Sequence, residues 1–331
     1  MKHLLLSIVI ISRNEEKYIE KCLNSIGVLK EDKSIEIVLV DSNSVDQTVN
    51  IAKATSIPDQ IIKIVDSNIY TAALGRMIGA KHSNGKYTLF IDGDMEVNLT
   101  TVEKCLKVLR FKDETVVGIT GERTDYFYKN NVLIGKKEDC LKIEPNTKIR
   151  EFGGAVLFRS DIFNEVGCYD PSIINGEEEE FYSRIIKKGK YVIGIKDTLV
   201  IHHTNYQNAL AKFIYLFVIP KNPGFGQALR ASILNRHIWF FIIKHYVFFL
   251  SFFLDIVSLV VYGSGTSIIA VALIQLIVLV GNYVYYEKRP WFYIVNKLRI
   301  FYLFYGLFKY ERSVDYQLEY MNASNNEGSS D

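Results

Sequence analysis

The sequence predicts an α/β protein: a Rossmann-like, mostly parallel sheet with its helices over residues 1–205, followed by a C-terminal transmembrane helical hairpin. Three observations carry that expectation. Apolar strands alternate with helical patterns of about ten residues, the mark of βαβ units. Two of the strands run into an aspartate, Asp41 and Asp92, at the carboxyl edge where open α/β sheets hold their ligands. Beyond about residue 237 the composition turns apolar and aromatic-rich.

Residues 5–11, apolar apart from Ser7, read as a buried first strand. No small-residue cleavage site follows; Ser12-Arg13-Asn14-Glu15-Glu16 comes directly after, so this is not read as a targeting segment. Residues 15–26 have helical spacing, with Tyr18, Ile19, Cys22, Leu23 and Ile26 on one face. A strand over 35–40 ends at Asp41, a helix over 45–54 carries Asp46 in its first turn, and a strand covers 61–65. A helix over 72–83 and a strand over 87–91 lead into Asp92-Gly93-Asp94. A helix over 100–109 and a strand over 116–120 precede a polar, irregular stretch, 121–150. A strand over 152–158 carries Gly153-Gly154, and a short helix covers 161–166. The helix over 176–188 opens with four glutamates, which suit the positive end of a helix dipole. Strands over 191–195 and 199–201 close the region, the last running into His202-His203.

A net charge of +2 over 331 residues gives no bulk argument for nucleic acid. The four cysteines, Cys22, Cys105, Cys140 and Cys168, form no CxxC pair, so they read as reduced thiols rather than a zinc or disulfide framework. Two apolar runs follow, 246–262 and 267–286, separated by the turn Gly263-Ser264-Gly265-Thr266. A span needs roughly 20 residues, which the second run meets and the first reaches by drawing on 238–243. Asp255 would cost about 2.5–3.5 kcal/mol at mid-membrane. The Val, Ile, Leu and Phe residues of its run return roughly 4–7 kcal/mol, so insertion is expected to win. Arg230, Arg236 and Lys244 before the hairpin, and Lys288, Arg289, Lys297 and Arg299 after it, put both flanks on the cytoplasmic side. The expected organisation is a catalytic domain (1–205), an interfacial linker (206–236), the transmembrane hairpin (237–287), and an amphipathic juxtamembrane helix with a disordered tail (288–331).

The chemistry centres on Asp92-Gly93-Asp94. Continued strand alternation would turn both carboxylates to one side, and the glycine lets backbone pass close to a ligand. Hard divalent cations take one or two carboxylates together with substrate phosphates. The pair therefore suits a Mg2+ or Mn2+ ion that in turn holds a diphosphate.

Over roughly residues 6–205 the chain resembles the family 2 glycosyltransferases of the GT-A fold. The resemblance rests on ordered pieces: residues 7–16, residues 40–48 around Asp41, Gly75-Arg76-Met77-Ile78-Gly79, residues 87–94, Phe152-Gly153-Gly154-Ala155, and residues 176–184. It implies an inverting transfer from a nucleotide-diphosphate sugar, of uridine type first. Ser12, Glu15, Asp41, Arg76 and Asp92 would bind the nucleotide sugar. Asp94, Asp92 and a histidine after the last strand, His202 ahead of His203, would face the metal. Gly153 and Gly154 would lie on the acceptor side, and Glu178 or Glu177 would be the base that deprotonates the acceptor hydroxyl.

The expected function is thus a metal-dependent glycosyltransferase, placed at the cytoplasmic face of a membrane and acting on a lipid-linked or polysaccharide acceptor. A polyprenyl-phosphate glycosyltransferase uses the same fold. A non-catalytic nucleotide-binding membrane scaffold is the alternative of a different class.

Overall fold

The computed structural model describes residues 4–150, 152–206, 223–263, 268–285, 291–310 and 313–321. The chain divides into two compact units, Met1–Tyr206 with Glu311–Asp331, and Gln207–Tyr310.

The first unit is built on β1 (Leu6–Ser12), β2 (Ile35–Asp41), β3 (Gln60–Ser67) and β4 (Tyr87–Asp92). Every residue of β1 is buried, which is why it reads as a continuous apolar run rather than an alternating one. β1 lies parallel to both β2 and β4, and β2 parallel to β3. Helices α1 (Ile19–Ile26), α2 (Thr48–Thr55) and α3 (Ala72–Lys81) make the crossovers. α3 approaches β1 closely, and a Cβ on Gly79 would collide with Val9.

The sheet is not mostly parallel. It continues through β5 (Met95–Val97), β6 (Val116–Lys129), β9 (Val156–Arg159) and β10 (Tyr191–Asn205) in the order β3-β2-β1-β4-β9-β6-β10-β5. β9 is antiparallel to both β4 and β6, and β5 is antiparallel to β10. The stretch expected to be irregular holds most of β6, its hairpin partner β7 (Val132–Lys137) and the short β8 (Lys148–Ile149). The strand expected from 152 starts only at Val156, because Gly153 and Gly154 have φ of +64° and +86° and form a turn. Helices α4 (Leu99–Phe111), α5 (Ile162–Val166) and α6 (Glu177–Lys187) complete the layers. A late strand, β11 (Tyr316–Met321), was not foreseen; it pairs antiparallel with β3 and covers that edge.

The second unit contains α7 (Gly224–Leu234), α8 (Ile238–Lys244), α9 (Tyr246–Gly263), α10 (Ile268–Tyr285) and α11 (Trp291–Phe308). Among the described residues no helix is long and apolar enough to cross a membrane, which overturns the expected transmembrane hairpin. α8 ends at Lys244, so α9 begins afresh at Tyr246 and gains no length from the apolar residues upstream. The described residues of α9 and α10, eighteen in each, span roughly 27 Å at about 1.5 Å per residue, short of a hydrocarbon layer of about 30 Å. The middle of the unit is also polar: Gln275 Nε2 donates to Asp255 Oδ1 at 3.1 Å and to Ser258 Oγ at 3.0 Å, and Lys297 pairs with Asp255. Residues 264–266 of the expected turn, Lys288, Arg289 and the tail 322–331 lie outside the described residues.

Candidate active site

Parallel pairing sets Ser12 opposite Asp41, and Ile11 opposite Asp92. The strand order reverses direction at β1, so these ends border the crevice where such sheets bind ligands. Two left-handed asparagines, Asn14 and Asn43, each with φ of 57°, turn the chain after β1 and β2. The turns are laced together. Ser44 Oγ accepts from the Asn14 amide at 2.8 Å, and Asn14 Oδ1 accepts from the Val45 amide at 3.0 Å. Asp41 is fully buried and accepts from the Ser44 amide at 2.8 Å, from the Ser44 hydroxyl, and from Ser12 Oγ at 3.4 Å.

Arg76 is the hub of the next layer. It is buried, pairs with Asp92 at 2.9 Å and Glu177 at 3.0 Å, and lies 5.5 Å from the ring centre of Tyr169. The expected nucleotide contact is thus a side chain whose two terminal nitrogens already bridge strand β4 to helix α6. The glutamates that open α6 do different things. Glu177 holds Arg76, and Glu180, itself buried, pairs with Arg184 at 2.8 Å. Glu178 accepts from the Phe152 amide at 2.8 Å and the Gly154 amide at 3.1 Å. Gly154 also presses on Asp92; a Cβ there would collide with Asp92 Oδ2. One glycine therefore touches both a carboxylate of the Asp-Gly-Asp run and the candidate base. Burial raises Glu177 above the usual carboxylate range, against the pull of Arg76. Burial, opposed by Arg76 and reinforced by Asp94, lifts Asp92 to about 6.

Asp94 faces β10. His202 Nε2 lies 3.2 Å from Asp94 Oδ2, and its Nδ1 lies 2.9 Å from Asp125 Oδ1. Burial lowers the imidazole's affinity for a proton, but the two carboxylates outweigh it and bring His202 to about 9. His203 points the other way, to Glu96 at 2.6 Å and the Tyr128 hydroxyl at 2.9 Å, stacked on Tyr18. Strand alternation separates the two histidines as expected. Glu15 stands near Asp94, and burial together with the charges of Asp94 and Asp92 lifts it to about 8. Beside it opens a polar cleft of about 340 Å³ lined by Asn14, Glu15, Tyr18, Asp46, Asp94 and His203 among others.

Among the described residues no group of three or more His, Cys, Asp and Glu could hold a cation unaided. Asp94 and His202 nevertheless offer oxygen and nitrogen together, and Asp94 Oδ1 is buried with no hydrogen-bond partner among the described residues. An orphaned carboxylate oxygen costs free energy unless something takes it up. A divalent cation that draws its other ligands from a diphosphate and water fits that donor set.

Known proteins resemble this chain in sequence and in fold. Residues 7–167 match the profile of glycosyl transferase family 2. That match covers just under half of the chain and lies within the unit that carries the site. The chain is 25% identical over 203 residues to glycosyltransferase AglE of Haloferax volcanii, covering 59% of this chain and 66% of that protein. It is likewise 25% identical over 238 residues to the uncharacterized glycosyltransferase EpsJ of Bacillus subtilis, covering 68% of this chain and 67% of EpsJ. The chain thus spans about two thirds of the length of these relatives. The mannosyltransferase PcManGT from Pyrobaculum calidifontis, solved with GDP-Man and Mn2+, superposes with a TM-score of 0.61 over 94% of this chain and 89% of that chain. At 14% identity that likeness shows the fold, GT-A, and nothing finer. The unit that carries the site is a glycosyltransferase unit with a mixed sheet.

Three side chains of the site escaped sequence reasoning. Tyr169 packs beneath Arg76. Asp125 and Arg123 reach the site only because β6 runs on past Thr120. Their one signal was the alternation of Glu122, Arg123, Thr124 and Asp125 directly after an apolar strand, which a polar composition disguised as loop.

Proposed function

We propose that this protein is a metal-dependent, inverting glycosyltransferase that moves a sugar from a nucleotide-diphosphate sugar to a hydroxyl of a lipid-linked or polysaccharide acceptor. The observation that carries the reading is the convergence on Asp92: Gly154 touches both Asp92 and Glu178, and the Asp94–His202 pair with its orphaned oxygen follows directly in the chain. Ser12, Glu15 and Asp41 shape the nucleotide end of the crevice, and Arg76 fixes Asp92 there. Asp94 and His202 would hold a Mg2+ or Mn2+ ion, with Asp92 beside them. The ion, when bound, supplies Lewis-acid neutralisation of the departing diphosphate. Glu178, or Glu177 next to it, takes the proton of the acceptor hydroxyl as its oxygen attacks the anomeric carbon opposite the leaving group. The Gly153-Gly154 turn positions that base through the Gly154 amide.

A place at the cytoplasmic face of a membrane belongs to the same proposal. It is supported by the apolar side chains exposed on the second unit, among them Trp239, Ile243, Phe253, Leu259, Ile269 and Phe301. A surface of that kind suits contact with lipid without crossing it. UDP-sugars come first as donors, and GDP-sugars are the discriminating arm. Purified protein with Mn2+ or Mg2+, a panel of both and a membrane lipid extract should release nucleoside diphosphate. No release from folded protein with any donor would overturn the reading.

Both oxygens of Glu178 already hold backbone amides, which favours a second reading with a polyprenyl-phosphate acceptor. Such an acceptor arrives as an anion and needs no base. Transfer to a polyprenyl phosphate that survives Glu178→Gln would select it.

A further inference from the structure

We propose that Asp125 is a positioning residue for His202, holding its imidazole so that Nε2 is presented beside Asp94 to a divalent cation, and that Arg123 ties this arrangement to the acceptor-side glycine turn. The proposal rests on the reading of His202 as a metal contact and deepens it.

The placement comes from sheet register. β6 and β10 are parallel, and Asp125 lies directly opposite His202 across that ladder although 77 residues separate them. His202 Nδ1 is 2.9 Å from Asp125 Oδ1, so the hydrogen on Nδ1 points to the carboxylate and Nε2 is left facing Asp94 at 3.2 Å. A carboxylate behind a ligating histidine fixes both its tautomer and its ring orientation, and raises its basicity as a ligand. Asp125 is itself held. Arg123, two residues earlier on the same face of β6, has Nε 2.8 Å from Asp125 Oδ1. Arg123 Nη1 then donates to the Gly153 carbonyl at 3.2 Å. An unbroken line runs from the Gly153-Gly154 turn through Arg123, Asp125 and His202 to Asp94. The two sides of the site are thereby connected without passing through Asp92. One displaced residue in the β6–β10 register would turn Asp125 to the opposite face and break the line.

The test is the Mn2+ affinity of the full chain without donor, read by titration calorimetry, for the native protein, Asp125→Asn, His202→Ala and the double variant, each checked for folding by circular dichroism. Asp125→Asn should weaken Mn2+ about 10- to 100-fold, and should add nothing further on the His202→Ala background. A wild-type measurement needs no variant to fold: 15N shifts of the histidines in Mg2+-loaded protein should show His202 protonated at Nδ1 and bare at Nε2. Unchanged Mn2+ affinity in His202→Ala would remove the metal-contact reading and this proposal with it. A loss in His202→Ala with Asp125→Asn within about twofold of native would overturn the positioning role alone, whereas His202 found protonated at Nε2 with metal bound would remove the Nε2 metal contact as well.

Discussion

The two halves of the catalytic sheet assemble their parts of the site by different means. In the parallel half, β1, β2 and β4 deliver Ser12, Asp41 and Asp92 simply by ending at the same edge. In the other half, around β6, β9 and β10, the important side chains sit within long strands, and register decides who meets whom. Asp125 meets His202 because those strands pair in one alignment, and Gly154 meets Asp92 because β9 runs antiparallel to β4 from the turn at 153–154. A parallel βαβ array is robust to small shifts, since every strand ends at the same edge. A register-built site is not, because its partners are far apart in sequence and have period-2 faces.

Predictions follow from that difference. The largest effect is expected at Glu178, where the two halves join. Glu178→Gln should lower kcat about 10²–10⁴-fold, read as nucleoside diphosphate release with a hydroxyl acceptor. Full turnover would move the base to Glu177 or select the phosphate acceptor. Next comes the donor half: Asp94→Asn should cost about 10²–10³-fold by removing the orphaned oxygen from the diphosphate side. Chelation by EDTA should abolish the native activity and Mn2+ restore it. An Asp94→Asn enzyme with native kcat would refute the assignment of the metal side.

Two glycines probe packing on either side of the comparison. Gly154→Ala would place a methyl against Asp92 Oδ2 at a residue with φ of +86°, and strain there is worth about 1–3 kcal/mol. Its melting temperature should drop and its activity fall together. Gly79→Ala forces a methyl onto Val9 in the parallel half, an overpacking of about 1–3 kcal/mol. There stability should fall while kcat in the folded fraction stays near native.

The smallest effect is a pH dependence. Glu15 lies at about 8 and His202 at about 9, both raised from their ordinary values of 4.5 and 6.5. A group raised in the fold contributes stability that is complete below its unfolded value and is lost as pH rises through its folded one. The metal-free protein should therefore lose melting temperature from about pH 5 to about pH 9, and Glu15→Gln should flatten the lower part of that slope. Mn2+ displaces these protons, so the rise in melting temperature it produces should grow with pH. A metal-free curve that climbs across this range would contradict the electrostatics assigned to Asp94, Asp92 and His202 around Glu15.

Legibility in the sequence followed the same divide. The acids at strand ends were readable because each sits at a change from apolar run to turn. Glu177, Glu178 and Glu180 were readable as a group but not apart; Arg76, the Phe152 and Gly154 amides, and Arg184 give each its own partner. The late part of β6 was hidden because its residues are polar on the face that lines the site. The expected membrane-crossing hairpin came from hydropathy alone, which does not see a helix restart at Tyr246 or Asp255 held by Gln275 and Lys297.

By itself the sequence determined the βαβ order, the buried β1, and the Asp41 and Asp92 termini, because these depend on local pattern and on the rule that parallel strands end together. Only the tertiary structure decided the mixed sheet, the closure of its edge by β11, the separate partners of the glutamates and the Asp125–His202–Asp94 line. Those features rest on contacts between residues tens to hundreds of positions apart, and pairing between distant segments leaves no period or motif in either segment alone.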